Sequence, residues 1–167
     1  MKTDKKEKLI HTIDPVFDED SKILILGSFP SVKSRETSFF YGHPQNRFWK
    51  VTAAVFEEEI PETIQEKKSF LLKNHIAVWD VIHSCEIKGS SDASIENVAV
   101  NDLSIILDHC DIRQIYVNGK TAEKLYRKYM KETYKRDCIS LPSTSPANAA
   151  WSLEKLIDEW KKIRERN

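Results

Sequence analysis
Four short, mostly apolar runs constrain this chain more than anything else in it: Ile23-Leu24-Ile25-Leu26, Ile76-Ala77-Val78-Trp79, Gln114-Ile115-Tyr116-Val117 and Cys138-Ile139-Ser140-Leu141. None alternates cleanly between apolar and polar residues, which is the pattern of a strand covered on both faces. Helical spacing fills the intervals. Phe48, Trp49, Thr52, Ala53 and Phe56 predict a helix that begins near Gln45 or Asn46, with Pro44 just ahead where a fixed φ suits a helix start. Residues 64–73 predict a second helix, and Asn101 is placed to cap a third through Leu103, Ile106 and Leu107. Thr121 opens a fourth, with Ala122, Leu125, Tyr126 and Tyr129 on one face. Ser152 caps the last, with Leu153, Leu156, Ile157, Trp160 and Ile163 at helical intervals. The stretch 83–99 is polar, bears Gly and Ser and has no clear period, so it is expected to be a long loop or short helical turns. The alternation predicts an α/β fold of three layers, α/β/α, around a central four-stranded parallel sheet.

The totals narrow the class. At 167 residues the chain is expected to be a single domain over 1–167, with 1–8 a flexible charged tail, and to bury roughly two thirds of its unfolded surface without staples. Lys plus Arg and Asp plus Glu both number 26, so no overall positive field exists and a polyanion contact has to come from a local patch. Cys85, Cys110 and Cys138 are odd in number, far apart and without a C-x-x-C pair. They fit reduced thiols of a cytoplasmic protein and cannot supply the four thiolates of an iron–sulfur cluster. No apolar segment approaches the ~20 residues of a membrane span, and no membrane partner is expected.

In a parallel sheet covered on both faces, ligands bind beyond the carboxyl ends of the strands. Here those ends carry Gly27-Ser28-Phe29-Pro30, Trp79-Asp80, Asn118-Gly119-Lys120 and Pro142-Ser143-Thr144-Ser145-Pro146. This edge has no carboxylate pair, no metal-binding histidine cluster and no Ser-His-Asp order. Gly27 lacks the continuation of a dinucleotide loop, and Gly119-Lys120-Thr121 lacks the preceding glycines of a P-loop. What remains is amides, hydroxyls and aromatics, which suit a planar ligand held by stacking and hydrogen bonds, with no metal and no cofactor.

Gly27-Ser28-Phe29-Pro30-Ser31, then Tyr41-Gly42-His43-Pro44-Gln45-Asn46-Arg47-Phe48-Trp49, and late in the chain Leu141-Pro142-Ser143-Thr144-Ser145-Pro146-Ala147-Asn148 together resemble the uracil-DNA glycosylase superfamily, and within it the hypoxanthine-DNA (deoxyinosine) glycosylase branch. The resemblance runs from the first strand to the last helix. It implies a monofunctional DNA repair enzyme, acting as a monomer, that hydrolyses the N-glycosidic bond of a deaminated base and leaves an abasic site. Its partner would be double-stranded DNA carrying that base, with single-stranded DNA as an alternative. The superfamily's first motif commonly has Asn or Asp two positions after its Gly, to position the attacking water; here that residue is Phe29. In the hypoxanthine branch the task passes to the Asn of the His-Pro-x-Asn-Arg-Phe-Trp segment, which implies Asn46 as the catalytic residue. The resemblance further implies a base-binding wall of Gly27, Ser28, Phe29, Pro30, Tyr41 and His43, with Tyr41 stacking on the flipped base. It implies a DNA grip by Ser31, Lys120, Ser143, Thr144, Ser145, Pro146, Ala147 and Asn148, with backbone amides approaching phosphate and a slight Pro146-Ala147 wedge.

Read without the family, several of these residues are plainer. Asn46 is a helix cap, His43 a packed, hydrogen-bonded histidine and Lys120 a solvated lysine that could contact phosphate or form a Schiff base. Arg47 is an ion pair or a loop clamp, and Asp80 either caps the next segment or fixes a pocket donor. Phe39, Phe40, Phe48, Trp49, Trp79, Trp151 and Trp160 are expected in the core. Two other functions stay open at this stage, a mismatch-specific uracil-DNA glycosylase and a non-catalytic binder of damaged or single-stranded DNA; a small-molecule site on a flavodoxin-like sheet is disfavoured by the missing phosphate loop.

Overall fold
A computed structural model describes residues 7–37, 39–87 and 95–165. Among them the elements run β1 (Glu7–Ile10), β2 (Ile23–Gly27), α1 (Val32–Thr37), α2 (Phe48–Val55), α3 (Ile64–Lys73), β3 (Ile76–Asp80), β4 (Ile82–Ile87) and β5 (Glu96–Val100), then α4 (Ser104–Leu107), β6 (Gln114–Asn118), α5 (Lys120–Tyr129), α6 (Lys131–Tyr134), β7 (Ile139–Leu141), α7 (Leu153–Trp160) and α8 (Lys162–Glu165).

The four apolar runs form one sheet in the order β3-β2-β6-β7, with every pairing parallel. All five positions of β2 and of β3 are buried. Successive side chains point to opposite faces, so this pattern means that both faces are covered. Helix α3 packs on β3, α5 on β6 and β7, and α2 against α7. Leu24, Ile25, Val78, Ile115, Tyr116 and Trp160 sit in the core they enclose. The predicted α/β/α architecture with a four-stranded parallel sheet is what the chain forms.

The helix ends show local chemistry at work. Thr63 accepts the Glu66 N–H while the Glu66 carboxylate accepts the Thr63 N–H, a reciprocal capping box that starts α3. Ser152 Oγ accepts the Lys155 N–H at the start of α7. Ile163, expected on the same helix, is buried from α8 instead. Helix α2 begins at Phe48, two residues after Asn46, whose side-chain oxygen accepts the Phe48 N–H at 2.9 Å.

Three expectations are corrected. The stretch 83–99 is not simply loop: β4 pairs antiparallel with β1 and β5 in a second, three-stranded sheet of order β1-β4-β5. Residues 88–94 lie outside the described residues. The period-2 signal is absent because the register shifts twice between β4 and β5, so that Ile82 and Cys85, three apart, are both buried in one small cluster. The expected tail is also shorter at its inner end, since Glu7 and Lys8 pair with Ile87 and Glu86; residues 1–6 lie outside the described residues. Finally, Asn101 caps nothing. Its Nδ2 donates to the carbonyls of Asp80 and Ile82 at 2.9 and 3.2 Å, holding the bend between the two sheets, while Asp102 accepts the Ser104 N–H at the helix start.

Candidate functional site
Because the four central strands are parallel, Gly27, Asp80, Asn118 and Leu141 end on one edge, with Gly27 in register with Asp80 and Asn118 with Leu141. A cleft of about 900 Å³ opens there. Of the residues named from sequence, Gly27, Ser28, Phe29, Pro30, Ser31, Tyr41, Asn46, Lys120, Ser143, Thr144, Ser145, Ala147 and Asn148 line it. His43 and Pro146 do not. His43 lies on the loop ahead of α2, where its Nδ1 accepts the Gln45 N–H at 3.0 Å. Trp151, expected in the core, is half-buried and lines the cleft.

The floor is built where β2 meets β3. Gly27 has ordinary backbone angles, so room rather than conformation demands a glycine: an added Cβ would sit 2.4 Å from Asp80 Oδ1 and 3.3 Å from the Tyr41 hydroxyl. Asp80 is 4 % exposed. Its other oxygen lies 2.8 Å from Nε2 of His11, a residue just past β1 whose ring is enclosed by Phe29, Phe40 and Trp79. The Ile13 N–H donates to His11 Nδ1 at 3.2 Å. A backbone N–H can only donate, so the proton of the neutral ring sits on Nε2 and points at the carboxylate. Sequence reasoning left Asp80 open and missed His11, because their contact spans 69 residues.

Tyr41 has a positive φ of 51°. One face of its ring is stacked on Phe48 at 4.0 Å and 12°, which leaves at most the opposite face for a planar ligand. Its hydroxyl is buried without a partner at hydrogen-bond geometry. Burial first, and then the neighbouring Asp80 charge, push its ionisation well above the ordinary tyrosine range, with the Asn118 amide opposing.

Asn46 sits at the mouth of α2 and faces the late loop. Its Oδ1 accepts both the Phe48 N–H and the Thr144 hydroxyl, each at 2.9 Å. Thr144 is 1 % exposed and bonded on every polar atom: its N–H donates to Asn118 Oδ1 (3.1 Å), Asn118 Nδ2 donates to its Oγ1 (3.0 Å), and its carbonyl accepts the Arg47 N–H (3.0 Å). The side chain of Arg47 is a loop clamp. Its guanidinium donates to the carbonyls of Asn148 (3.0 Å), Ser145 (3.4 Å) and Trp151. Gly119 closes the other side, with φ +98° and an added Cβ only 3.0 Å from Ser143.

This wiring narrows the expected phosphate grip. The N–H groups of Thr144, Ser145, Ala147 and Asn148 are all taken inside the fold, by Asn118, the Ser143 hydroxyl, the Ser145 hydroxyl and the Ser145 carbonyl. Ser143 and Ser145 each accept through oxygen, which leaves each a hydroxyl proton still to donate. Thr144 borders the cleft but is buried, with each of its polar atoms engaged inside the fold. Cations remain at the rim: Lys120 is exposed and Arg35 half-buried, with the Arg35 guanidinium 5.7 Å from the centre of the Phe29 ring. Among the described residues, no group of three or more His, Cys, Asp or Glu side chains is placed to hold a metal ion, and no helix is long and apolar enough to cross a membrane.

Comparison with known proteins agrees along nearly the whole chain. The model of the uracil DNA glycosylase superfamily matches residues 15–165. A hypoxanthine DNA glycosylase of Methanosarcina acetivorans is 36 % identical over 153 residues, covering 89 % of this chain and 93 % of that one. One from Methanosarcina barkeri is 34 % identical over 108 residues, 64 % of this chain and 68 % of that one. A solution NMR structure of a candidate uracil DNA glycosylase from Methanosarcina acetivorans superposes with a TM-score of 0.79 at 31 % identity, covering 92 % of this chain and 95 % of that one.

Proposed function
The chain belongs to the uracil DNA glycosylase superfamily, and we propose that within it the protein is a monofunctional, cofactor-free glycosylase that removes hypoxanthine from double-stranded DNA and leaves an abasic site. The observation that carries this reading is the meeting, in one cleft at the strand ends, of the Tyr41–Asn46 segment with the Ser143–Asn148 loop, joined by the Asn46–Thr144 hydrogen bond. We take residues 1–167 to act as one glycosylase domain, as a monomer in the cytoplasm.

The cleft supports a sequence of events. Lys120, Arg35 and the Ser143 and Ser145 hydroxyls offer a local hold on the phosphate backbone in a chain without net charge. The target nucleotide is flipped out of the duplex at a cost of a few kcal/mol, smallest for a mispaired base. The free face of Tyr41 and the side chain of Phe29 then hold the base plane. At the floor, Asp80 offers an acceptor. Hypoxanthine carries N1–H on its exposed edge, whereas adenine carries a lone pair there, so a carboxylate favours the deaminated base. Guanine also carries N1–H on that edge, so the carboxylate sorts hypoxanthine from adenine but not from guanine. Cleavage passes through an oxocarbenium-like state in which negative charge gathers on the base, and Asn46 is the catalytic amide beside it.

The test is direct. Duplexes containing one deoxyinosine or one deoxyuridine are incubated with the protein, and abasic sites are then cut with alkali. Strand breaks at deoxyinosine are expected. Breaks at deoxyuridine alone would make this a uracil enzyme, and none on either substrate would leave a DNA-binding domain without turnover.

A further inference from the structure
Two backbone N–H groups determine the orientation of three side chains at the centre of the cleft. The Phe48 N–H meets one end of the Asn46 amide, and because that N–H has no lone pair the end it meets is the carbonyl oxygen. In the same way the Thr144 N–H meets the oxygen of Asn118, which turns the Asn118 NH₂ onto Thr144 Oγ1. The Thr144 hydroxyl has a single proton. With Asn118 donating into its oxygen, that proton goes to Asn46 Oδ1. Both lone pairs of Oδ1 are then engaged, and the NH₂ is the end of Asn46 left to the cleft it lines.

We infer that Thr144, oriented by Asn118, is a positioning residue that holds Asn46 as a donor-only group acting on the departing base. The inference rests on the reading of Asn46 as the catalytic amide. An NH₂ accepts no proton and no hydrogen bond from water, so Asn46 does not activate the nucleophile in this orientation. It donates instead to the atom that gains charge. When the C1′–N9 bond breaks, both of its electrons go to the base; water bonds to C1′, and the proton that water loses balances the base anion. A donor fixed in advance on the base side stabilises that charge without reorganising. The expected acceptor is a purine ring nitrogen or carbonyl oxygen. The same wiring explains a fully buried threonine in a loop otherwise facing DNA: it is part of the support for Asn46 rather than of the DNA surface.

The experiment is single-turnover cleavage of a deoxyinosine duplex at saturating enzyme, with duplex affinity measured separately by fluorescence anisotropy. Losing one preorganised donor costs about 100- to 1000-fold in rate. Asn46→Asp keeps both accepted hydrogen bonds, removes the donor and adds a carboxylate charge that also opposes the base anion; it should fall at least as far as Asn46→Ala. Thr144→Val should lose a comparable factor in rate with duplex affinity within about threefold, and Thr144→Ser, which restores the hydroxyl, should recover most of the rate. The Thr144→Val defect should also shrink on purines that leave more readily, since these need less charge stabilisation. Asn46→Asp retaining rate within tenfold of the parent overturns the donor-only assignment. Thr144→Val matching Thr144→Ser overturns the positioning role. If Thr144→Val fails to fold, Thr144→Ala, which removes the same hydroxyl without a branched replacement, decides the positioning role against Thr144→Ser, and Asn46→Asp still decides the donor assignment. An active Asn46→Ala removes Asn46 from catalysis and this inference with it, and a parent protein that cuts neither deoxyinosine nor deoxyuridine overturns both readings at once.

Discussion

Gly27 is the position at which a single methyl group should do the most damage. An alanine Cβ there would lie 2.4 Å from Asp80 Oδ1, well inside contact distance, with the Tyr41 hydroxyl 3.3 Å away on the other side. The backbone angles of Gly27 suit alanine, so the whole penalty comes from the collision. Overfilling a packed site costs about 1–3 kcal/mol. Pushing the buried carboxylate off His11 forfeits a charge-assisted hydrogen bond worth about 1.5–3 kcal/mol. Together these span about 2.5–6 kcal/mol, with about 3–5 the central range, and for a chain of this size each kcal/mol lowers the melting temperature by about 2–4 °C. Gly27→Ala should therefore melt about 10 °C below the parent, and cleavage of deoxyinosine should fall with it as the floor is displaced. A double-mutant cycle isolates the cause. In an Asp80→Ala background the obstructing oxygen is gone, so adding Gly27→Ala should cost less than about 1 kcal/mol, a coupling of at least 2 kcal/mol that only contacting residues show. Equal costs in the two backgrounds would refute the steric argument.

Two further outcomes follow from the same geometry. Arg47→Lys keeps the charge but cannot fork onto the carbonyls of Ser145, Asn148 and Trp151; duplex affinity should weaken and proteolysis within 143–151 should quicken, and unchanged affinity with unchanged proteolysis would show that the clamp is dispensable. Tyr126, whose hydroxyl donates to the Arg136 carbonyl at 2.8 Å, has its ionisation pushed up to about 12, chiefly by burial. The unfolded chain loses that proton near pH 10 while the folded one retains it, so stability is full below pH 10 and declines between about pH 10 and 12. Melting curves across that range should show the decline, smaller in Tyr126→Phe, and an ultraviolet titration showing Tyr126 ionising at the ordinary value would contradict it.

The parts of this protein legible in its sequence are those whose signals are local. Ile23–Leu26 and Ile76–Trp79 announce buried strands because every residue in them must be apolar when both faces are covered. Their carboxyl ends announce a site because loops beyond parallel strands face the same way. The resemblance in Gly27–Ser31, Tyr41–Trp49 and Leu141–Asn148 then put Asn46 and the late loop at that edge, and the cleft holds both. The β1-β4-β5 sheet was hidden because shifted register erases the alternation that marks a strand. Asn101 looked like a cap because the same amide that caps a helix can bridge two carbonyls, and only the neighbouring strand ends decide which. The partners that define the chemistry lie far off in the chain: His11 from Asp80 by 69 residues, Thr144 from Asn46 by 98. Residue types settle what an amide or a carboxylate is able to do. Which end of the Asn46 amide faces the cleft, and which oxygen of Asp80 is free, depend on hydrogen bonds that exist only once the fold has brought those distant donors into place.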